Sequence, residues 1–229
     1  MIRVTGFKWV PPFAQGQVRD LRARWVLEEA GWPYDVRLID AEQQRSHEYR
    51  AEQPFGQVPV VAFEDRVLFE SGAVVHHVAT RADGLWPVDA GGQARALSWL
   101  FAALNSVEPV LQAVAEVDFF TRDEEVQRVR RPGVMRAAAR RLAQAEAAFG
   151  EGDYVAGAFS GADVVLATVL RIVRHTKLMA ACPRLAAYRD RCEARPAFVR
   201  ALAGQMDGFA RHGPADMKYP PAAVAARER

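Results

Sequence analysis

Two short stretches carry residue types whose order suits a small zwitterionic ligand. In Pro54-Phe55-Gly56-Gln57-Val58-Pro59-Val60-Val61 a proline stands at the opening of an apolar, strand-like run. Pro59 has no amide to give to a sheet ladder. A cis Val58–Pro59 bond in a tight turn is one solution, and it turns the Val58 amide and carbonyl outward, where a ligand backbone can pair with them. A trans proline at a sheet edge is the other. In Phe69-Glu70-Ser71-Gly72-Ala73 a helix begins, with Ser71 as candidate N-cap. The amides after Ser71 point the positive end of that helix at solvent, where an anion can sit. Glu70, just before, can hold an ammonium. A carboxylate-binding helix end beside a carboxylate suits an amino-acid zwitterion, and a capping pair without ligand is the alternative.

A third stretch, Phe159-Ser160-Gly161-Ala162-Asp163, has the Ser-x-x-Asp spacing of a capping box before a very apolar helix. Ser160 and Asp163 are therefore expected to start that helix, with no role toward substrate. His76 and His77 point about 100° apart around a helix and have no third ligand at metal spacing, so no metal is assigned. The two cysteines, Cys182 and Cys192, form no Cys-x-x-Cys, which excludes a dithiol redox motif.

Composition agrees with an ordinary globular protein. Of 229 residues, 50% are hydrophobic and 25% charged, which excludes a disordered or collagen-like chain. No unbroken run reaches the ~20 apolar residues of a membrane helix, and MIRVTGFKWV does not read as a signal peptide. A cytoplasmic protein with reduced thiols and no membrane association is expected. The net charge of +2 does not argue for nucleic acid. The arginines at 128, 130, 131, 136, 140 and 141 lack interleaved aromatics and read as a solvated helix face.

The elements that must position these residues fall into two groups. Strand-like content at Met1–Phe7, a helix over Val18–Ala30 stopped by Gly31, a strand at Tyr34–Ile39, a short helix within 41–51, strands at Gln57–Phe63 and Val67–Phe69, and a helix at Gly72–Ala82 follow one another. That order gives a mixed sheet flanked by helices. Residues 83–92, with three glycines and a proline, read as a linker. Helices are expected over 93–115, over 124–149 with a break at Pro132-Gly133, over 162–176, 185–194 and 197–209. The predicted domains are 1–82 (α/β) and 93–215 (all-α), with a loose tail over 216–229.

Together these features resemble the cytosolic glutathione transferase family, over almost the whole chain. Residues 24–35 look like its first helix and second strand, Pro54–Val61 like its cis-proline loop, and Phe69–Ala73 like its Glu-Ser signature. Leu85-Trp86-Pro87 resembles its linker. Tyr154-Val155-Ala156-Gly157 with Phe159-Ser160 and Ala162-Asp163 resembles its helical-domain capping box. The resemblance implies a thioredoxin-like N-terminal domain, an all-α C-terminal domain, glutathione as cosubstrate without a metal, and a homodimer. It implies that Val58 pairs its backbone with the cysteinyl part of glutathione, beside Gln57 and Pro59, and that Glu70 and Ser71 hold the γ-glutamyl end.

One departure bears on the chemistry. The family places a Tyr, Ser or Cys at the start of the first helix, where it stabilises the glutathione thiolate and lowers a thiol pKa that begins near ~8.5. Residues 7–32 contain none of these. Counting back from Glu28-Glu29-Ala30-Gly31 puts the position near Gln17 to Arg19. Gln17 can donate through its amide, and Arg19 can stabilise a thiolate by charge. Trp9 offers only its indole N–H. Asn105, beside Ser106, is a further candidate for the cleft, unless both only relieve the helix before Pro109. The leading expectation is a transferase that conjugates glutathione to a hydrophobic electrophile. The alternatives are a non-catalytic glutathione-binding partner module, or an isomerase, peroxidase or dehalogenase reaction.

Overall fold

The computed structural model describes residues 1–214; the tail expected over 216–229 lies outside them. By packing, the described chain divides into two compact units, residues 1–86 with 194–214 and residues 87–193.

The first unit is built on a four-stranded sheet in the order β2-β1-β3-β4. Strands β1 (Ile2–Phe7) and β2 (Tyr34–Ile39) are parallel, from Ile2 opposite Tyr34 to Phe7 opposite Ile39. Helix α1 (Asp20–Ala30) makes the crossover. Its C-terminus is closed by Gly31 at φ 66°, a left-handed cap that glycine adopts without steric cost. Strand β3 (Val60–Ala62) runs antiparallel to β1 and pairs with β4 (Val67–Phe69) in a hairpin. Helices α2 (Ala41–Arg45) and α3 (His47–Glu52) fill the β2–β3 connection, and α4 (Ser71–Ala79) follows β4.

Helix α1 starts two residues later than its apolar pattern predicts. The chain before it is spent on turns, with the amides of Ala14, Gln15 and Gln17 donating to the carbonyls of Pro11, Pro12 and Ala14 at 2.8, 3.2 and 2.9 Å. The helix is also buried further round than an amphipathic stripe allows. Asp20, Arg22 and Arg24 are buried alongside Leu21, Trp25, Val26 and Leu27. Asp20 lies so close to β1 that a Cβ on Gly6 would sit 2.7 Å from its Oδ2, so only glycine fits there.

The second unit is helical. Helix α5 (Ala90–Phe101), a π-helical turn over Ala102–Val107, α6 (Glu108–Ala115) and a second π-turn over Glu116–Phe120 form one continuous rod. Pro109 explains the first π-turn: it has no amide for the Asn105 carbonyl, and the wider turn accommodates its ring. The rod, Ala90–Phe120, is long and apolar enough to cross a membrane by length and composition, although no run of it is unbroken. Here it packs against α7 (Glu124–Phe149) and α8 (Gly161–Leu170). The break expected at Pro132 is absent; α7 runs through it in an exposed stretch. The arginines there are not a bare basic face. Arg128 pairs with Glu125, and Arg131 donates to Asp118 at 2.7 Å. Helix α9 (Pro183–Glu193) completes the unit.

Helix α10 (Pro196–His212) belongs with the first unit rather than with the helical one to which its sequence position assigned it. Trp25 and Phe198 meet edge to face at 4.8 Å between ring centroids. Arg195 grips Glu29 through two bonds of 2.6 and 2.8 Å. Helix α1 thus buries on α10 the face that the sheet leaves uncovered.

Candidate functional site

The β3–β4 hairpin brings the two chemistry-bearing stretches together. Val60 is registered with Phe69, so Pro59 and Glu70 occupy the next facing positions at the same hairpin end. The Val58–Pro59 peptide is cis. Val58 and Pro59 are buried and Gln57 is exposed.

The loop before Val58 is pinned from three sides. The Tyr49 hydroxyl donates to the Gln57 carbonyl at 2.6 Å, the Gln44 amide donates to the Gly56 carbonyl at 2.6 Å, and the Gln53 side chain accepts from the Phe55 amide at 2.7 Å. Burial pushes the Tyr49 phenol up to about 12, so it keeps the proton this bond requires. Gly56 turns the chain at φ 63°.

Across the hairpin end, Glu70 adopts φ 69° and ψ 113°. Among the described residues it is the one non-glycine with positive φ. Such a conformation costs about 1–3 kcal/mol and persists only where the surroundings impose it, often at ligand sites. Glu70 itself takes the N-cap position and Ser71 is the first helical residue, a correction to Ser71 as cap. Ser71 is buried, and its Oγ accepts a hydrogen bond from the Arg22 guanidinium at 3.1 Å. Helix α1 is thereby tied to the start of α4.

The start of α1 carries the two residues expected near a thiol. Arg19 is the N-cap residue, in helical conformation and without a side-chain cap bond. Gln17 lies in the last turn before it, and both are half-buried. Arg19 precedes Arg22 by three residues, about one helical turn or 4.5 Å along the axis. Gln17 and Arg19 therefore belong to the same end of the first unit as Ser71. The turn is held by Gln205 of α10, whose amide donates to the Val18 carbonyl at 3.2 Å and to Asp20 Oδ1 at 2.6 Å.

Residues 14–80 match the family described as glutathione S-transferase, N-terminal domain, and residues 114–196 match glutathione S-transferase, C-terminal domain. The chain belongs to the glutathione transferase family. Glutathione S-transferase F10 of Arabidopsis thaliana is 28% identical over 169 residues, covering 66% of this chain and 72% of that protein. The glutathione S-transferase-like protein gedE of Aspergillus terreus is 34% identical over 103 residues, 42% of this chain and 46%, less than half, of its own length. The fold matches a Burkholderia graminis glutathione transferase solved with two glutathione molecules per subunit (TM-score 0.76, 21% identity, 88% of this chain and 87% of that one). It also matches the glutathione transferase URE2P8 of Phanerochaete chrysosporium with oxidised glutathione (TM-score 0.78, 18% identity, 92% and 97%). The thioredoxin-like domain and the helical domain are those of this family.

Trp9 lies against the end of α10, where a Cβ on Gly213 would be 3.3 Å from its Nε1. Asn105 is exposed on the first π-turn of the second unit, and the neighbouring Ser106 carbonyl accepts from Arg141 at 2.7 Å. Ser160 and Asp163 form a capping box at the start of α8. Asp163 accepts from the amides of Val155 and Ser160 at 3.0 and 2.8 Å, and from the hydroxyls of Ser160 and Tyr188 at 2.9 and 3.0 Å. The histidine rings diverge, His76 onto Trp86 and His77 onto Phe63.

Sequence reasoning passed over Arg22 and Tyr49. Arg22 lies within the helix expected over Val18–Ala30, with no role assigned to it. The one available signal was the density of charge at 20, 22 and 24 within an otherwise apolar segment. Tyr49 gave none, because its partner is a backbone carbonyl.

Proposed function

We propose that the chain binds glutathione at the β3–β4 hairpin end and conjugates its thiolate to a hydrophobic electrophile. The observation that carries this reading is the facing pair of Val58–Pro59 and Glu70–Ser71, in a chain that belongs to this family. The Val58 backbone takes the cysteinyl segment, with Gln57 and Pro59 beside it, and Glu70 and Ser71 take the γ-glutamyl amine and carboxylate. Glutathione serves as cosubstrate and no metal is used. Arg19 stabilises the thiolate by charge, aided by the α1 dipole, with Gln17 as an amide donor. The protein acts as a cytoplasmic homodimer to which the Arg128–Arg141 stretch contributes; sedimentation as a single 25.4 kDa species would overturn that state.

Calorimetric titration tests the binding half. Ser71→Ala and Glu70→Gln are each expected to weaken glutathione by roughly tenfold, the size of one charge-assisted hydrogen bond. Unchanged affinity in both variants refutes the assignment. The missing Tyr, Ser or Cys over residues 7–32 favours a second reading, a module that binds glutathione without activating it. Thiolate absorbance of bound glutathione against pH separates the two. A lowered thiol pKa that returns toward its free value in Arg19→Ala supports the enzyme, and an unshifted pKa supports the module.

A further inference from the structure

Ser71 and Arg22 are 4% and 3% exposed, and they meet at 3.1 Å. A serine hydroxyl has one proton to give and lone pairs to accept with. Arg22, a permanent cation with donors only, occupies the accepting side of Ser71 Oγ. The hydroxyl proton must therefore point away from Arg22. Among the described residues nothing accepts that proton, and Ser71 has no interaction beyond the Arg22 bond and its helix. A buried donor of this kind ordinarily has an acceptor. A guanidinium behind the oxygen polarises the O–H and makes it a stronger donor, most of all toward an anion.

We propose that Arg22 is a positioning residue: acting through Ser71, it aims the hydroxyl at the α-carboxylate of the γ-glutamyl group and makes the site select ligands that carry this carboxylate. The inference rests on the glutathione reading above. It adds that discrimination at this end of the ligand originates on α1. Arg22 is well placed for this because it is buried, 3% exposed, on a helix that is itself held fast. Asp20 and Arg24, two residues before and after it, are locked to each other at 2.8 Å, and the helix between them is packed on α10.

The test uses two ligands, glutathione and its analogue lacking only the α-carboxylate, in which 4-aminobutanoate replaces the γ-glutamyl group. Each is titrated by calorimetry into the full-length wild type, Ser71→Ala, Arg22→Met and the double variant. The wild type is expected to prefer glutathione by at least about tenfold. Ser71→Ala and Arg22→Met should each bring that ratio toward one by weakening glutathione, while the analogue's affinity stays within about twofold. The double variant should be no worse than either single one, because both act through one hydroxyl. A general loss of structure would weaken both ligands alike and leave the ratio intact. A wild-type ratio in Ser71→Ala or in folded Arg22→Met overturns the proposal, as do additive losses in the double variant. Should Arg22→Met fail to fold by circular dichroism, Arg22→Lys takes its place, with a partial fall in the ratio expected and an unchanged ratio overturning the proposal. Wild type that binds neither ligand would refute the glutathione reading itself, a result distinct from a ratio indifferent to Arg22.

Discussion

Helices α1 and α8 are both buried on nearly every side, and both begin at a buried carboxylate, yet they treat that charge in opposite ways. Asp163 of α8 is surrounded by neutral donors alone, two amides and two hydroxyls. Every later position of α8 is apolar except Thr168, whose hydroxyl turns back to the carbonyls of Val164 and Val165. Asp20 of α1 instead meets a cation, Arg24, and the amide of Gln205. A further cation, Arg22, lies between them and reaches out of the helix to Ser71. Helix α8 keeps its charge at its own start. Helix α1 carries charge along its buried length and links it to the start of α4. The distinction separates polarity that caps a helix from polarity that ties it to the hairpin end proposed above to hold glutathione.

The largest effect is expected at Asp163. Asp163→Ala strands four buried donors at once, so the loss should be about 3–4 kcal/mol, well above the ~1 kcal/mol of an ordinary cap. Thermal and chemical denaturation measure it. A loss of only the ordinary cap value would mean that the four donors find other partners, and that the α8 start is not the closed unit described here.

Asp20→Asn should follow at about 2–3 kcal/mol, because it leaves the buried Arg24 guanidinium without its counter-charge. Asp163→Asn, which keeps an acceptor among neutral donors, should cost less, about 1–2 kcal/mol. Denaturation of the two isosteric variants side by side tests the contrast directly. Equal losses would show that the charge of the partner is immaterial, and the comparison would fail.

The pH dependence sharpens the same point through a third carboxylate. Burial raises the Asp163 carboxyl above 3.8, in spite of its hydrogen bonds. The folded state then holds this proton more tightly than the unfolded state. Stability from this group is greatest below 3.8 and falls as pH rises toward the folded value. At Asp118 burial acts in the same direction, but the bonds from Arg131 and His175 outweigh it and hold the carboxyl below 3.8. Its stabilisation is complete above 3.8 and is lost as pH falls through the lower folded value. Subtracting the denaturation curves of Asp163→Asn and Asp118→Asn from the wild type should thus give differences of opposite slope in acid. Slopes of one sign would contradict the assignment of paired and unpaired carboxylates.

Much of this frame can be read from sequence, for reasons local to particular residues. Strands β2 and β4 fall where the β-branched and aromatic runs predict them, Gly31 ends α1, and Ser160 with Asp163 starts α8. Each depends on neighbours a few positions away. The features that escaped depend on partners far along the chain. Gln205 meets Asp20 across 185 positions and Arg195 meets Glu29 across 166, so nothing near α1 announces that α10 will cover it. The candidate site divides in the same way. Val58–Pro59 and Glu70–Ser71 announce themselves by order and spacing, whereas Arg22 differs from any solvated arginine only in what the fold packs around it. Pro132 misled because the rule against proline in a helix weakens in an exposed stretch.

The smallest effect expected concerns backbone rather than charge. Ser160, which starts α8, sits in relaxed extended conformation at φ −147° and ψ 173°. Glu70, which starts α4, is held at φ 69°, where a side chain crowds the backbone and glycine does not. Replacing it in Glu70→Gly should relieve that crowding. The greater freedom of glycine in the unfolded chain offsets part of the gain, leaving a net stabilisation of about 1 kcal/mol or somewhat less. The same substitution removes the carboxylate proposed to hold the γ-glutamyl amine, so glutathione affinity should fall while the midpoint of denaturation rises. Opposite movement of the two measurements, made on one preparation, would show strain retained at the proposed ligand stretch and absent at the start of α8. A Glu70→Gly protein less stable than wild type would mean that the Glu70 side chain supports the fold, and the division between the two helix starts would no longer hold.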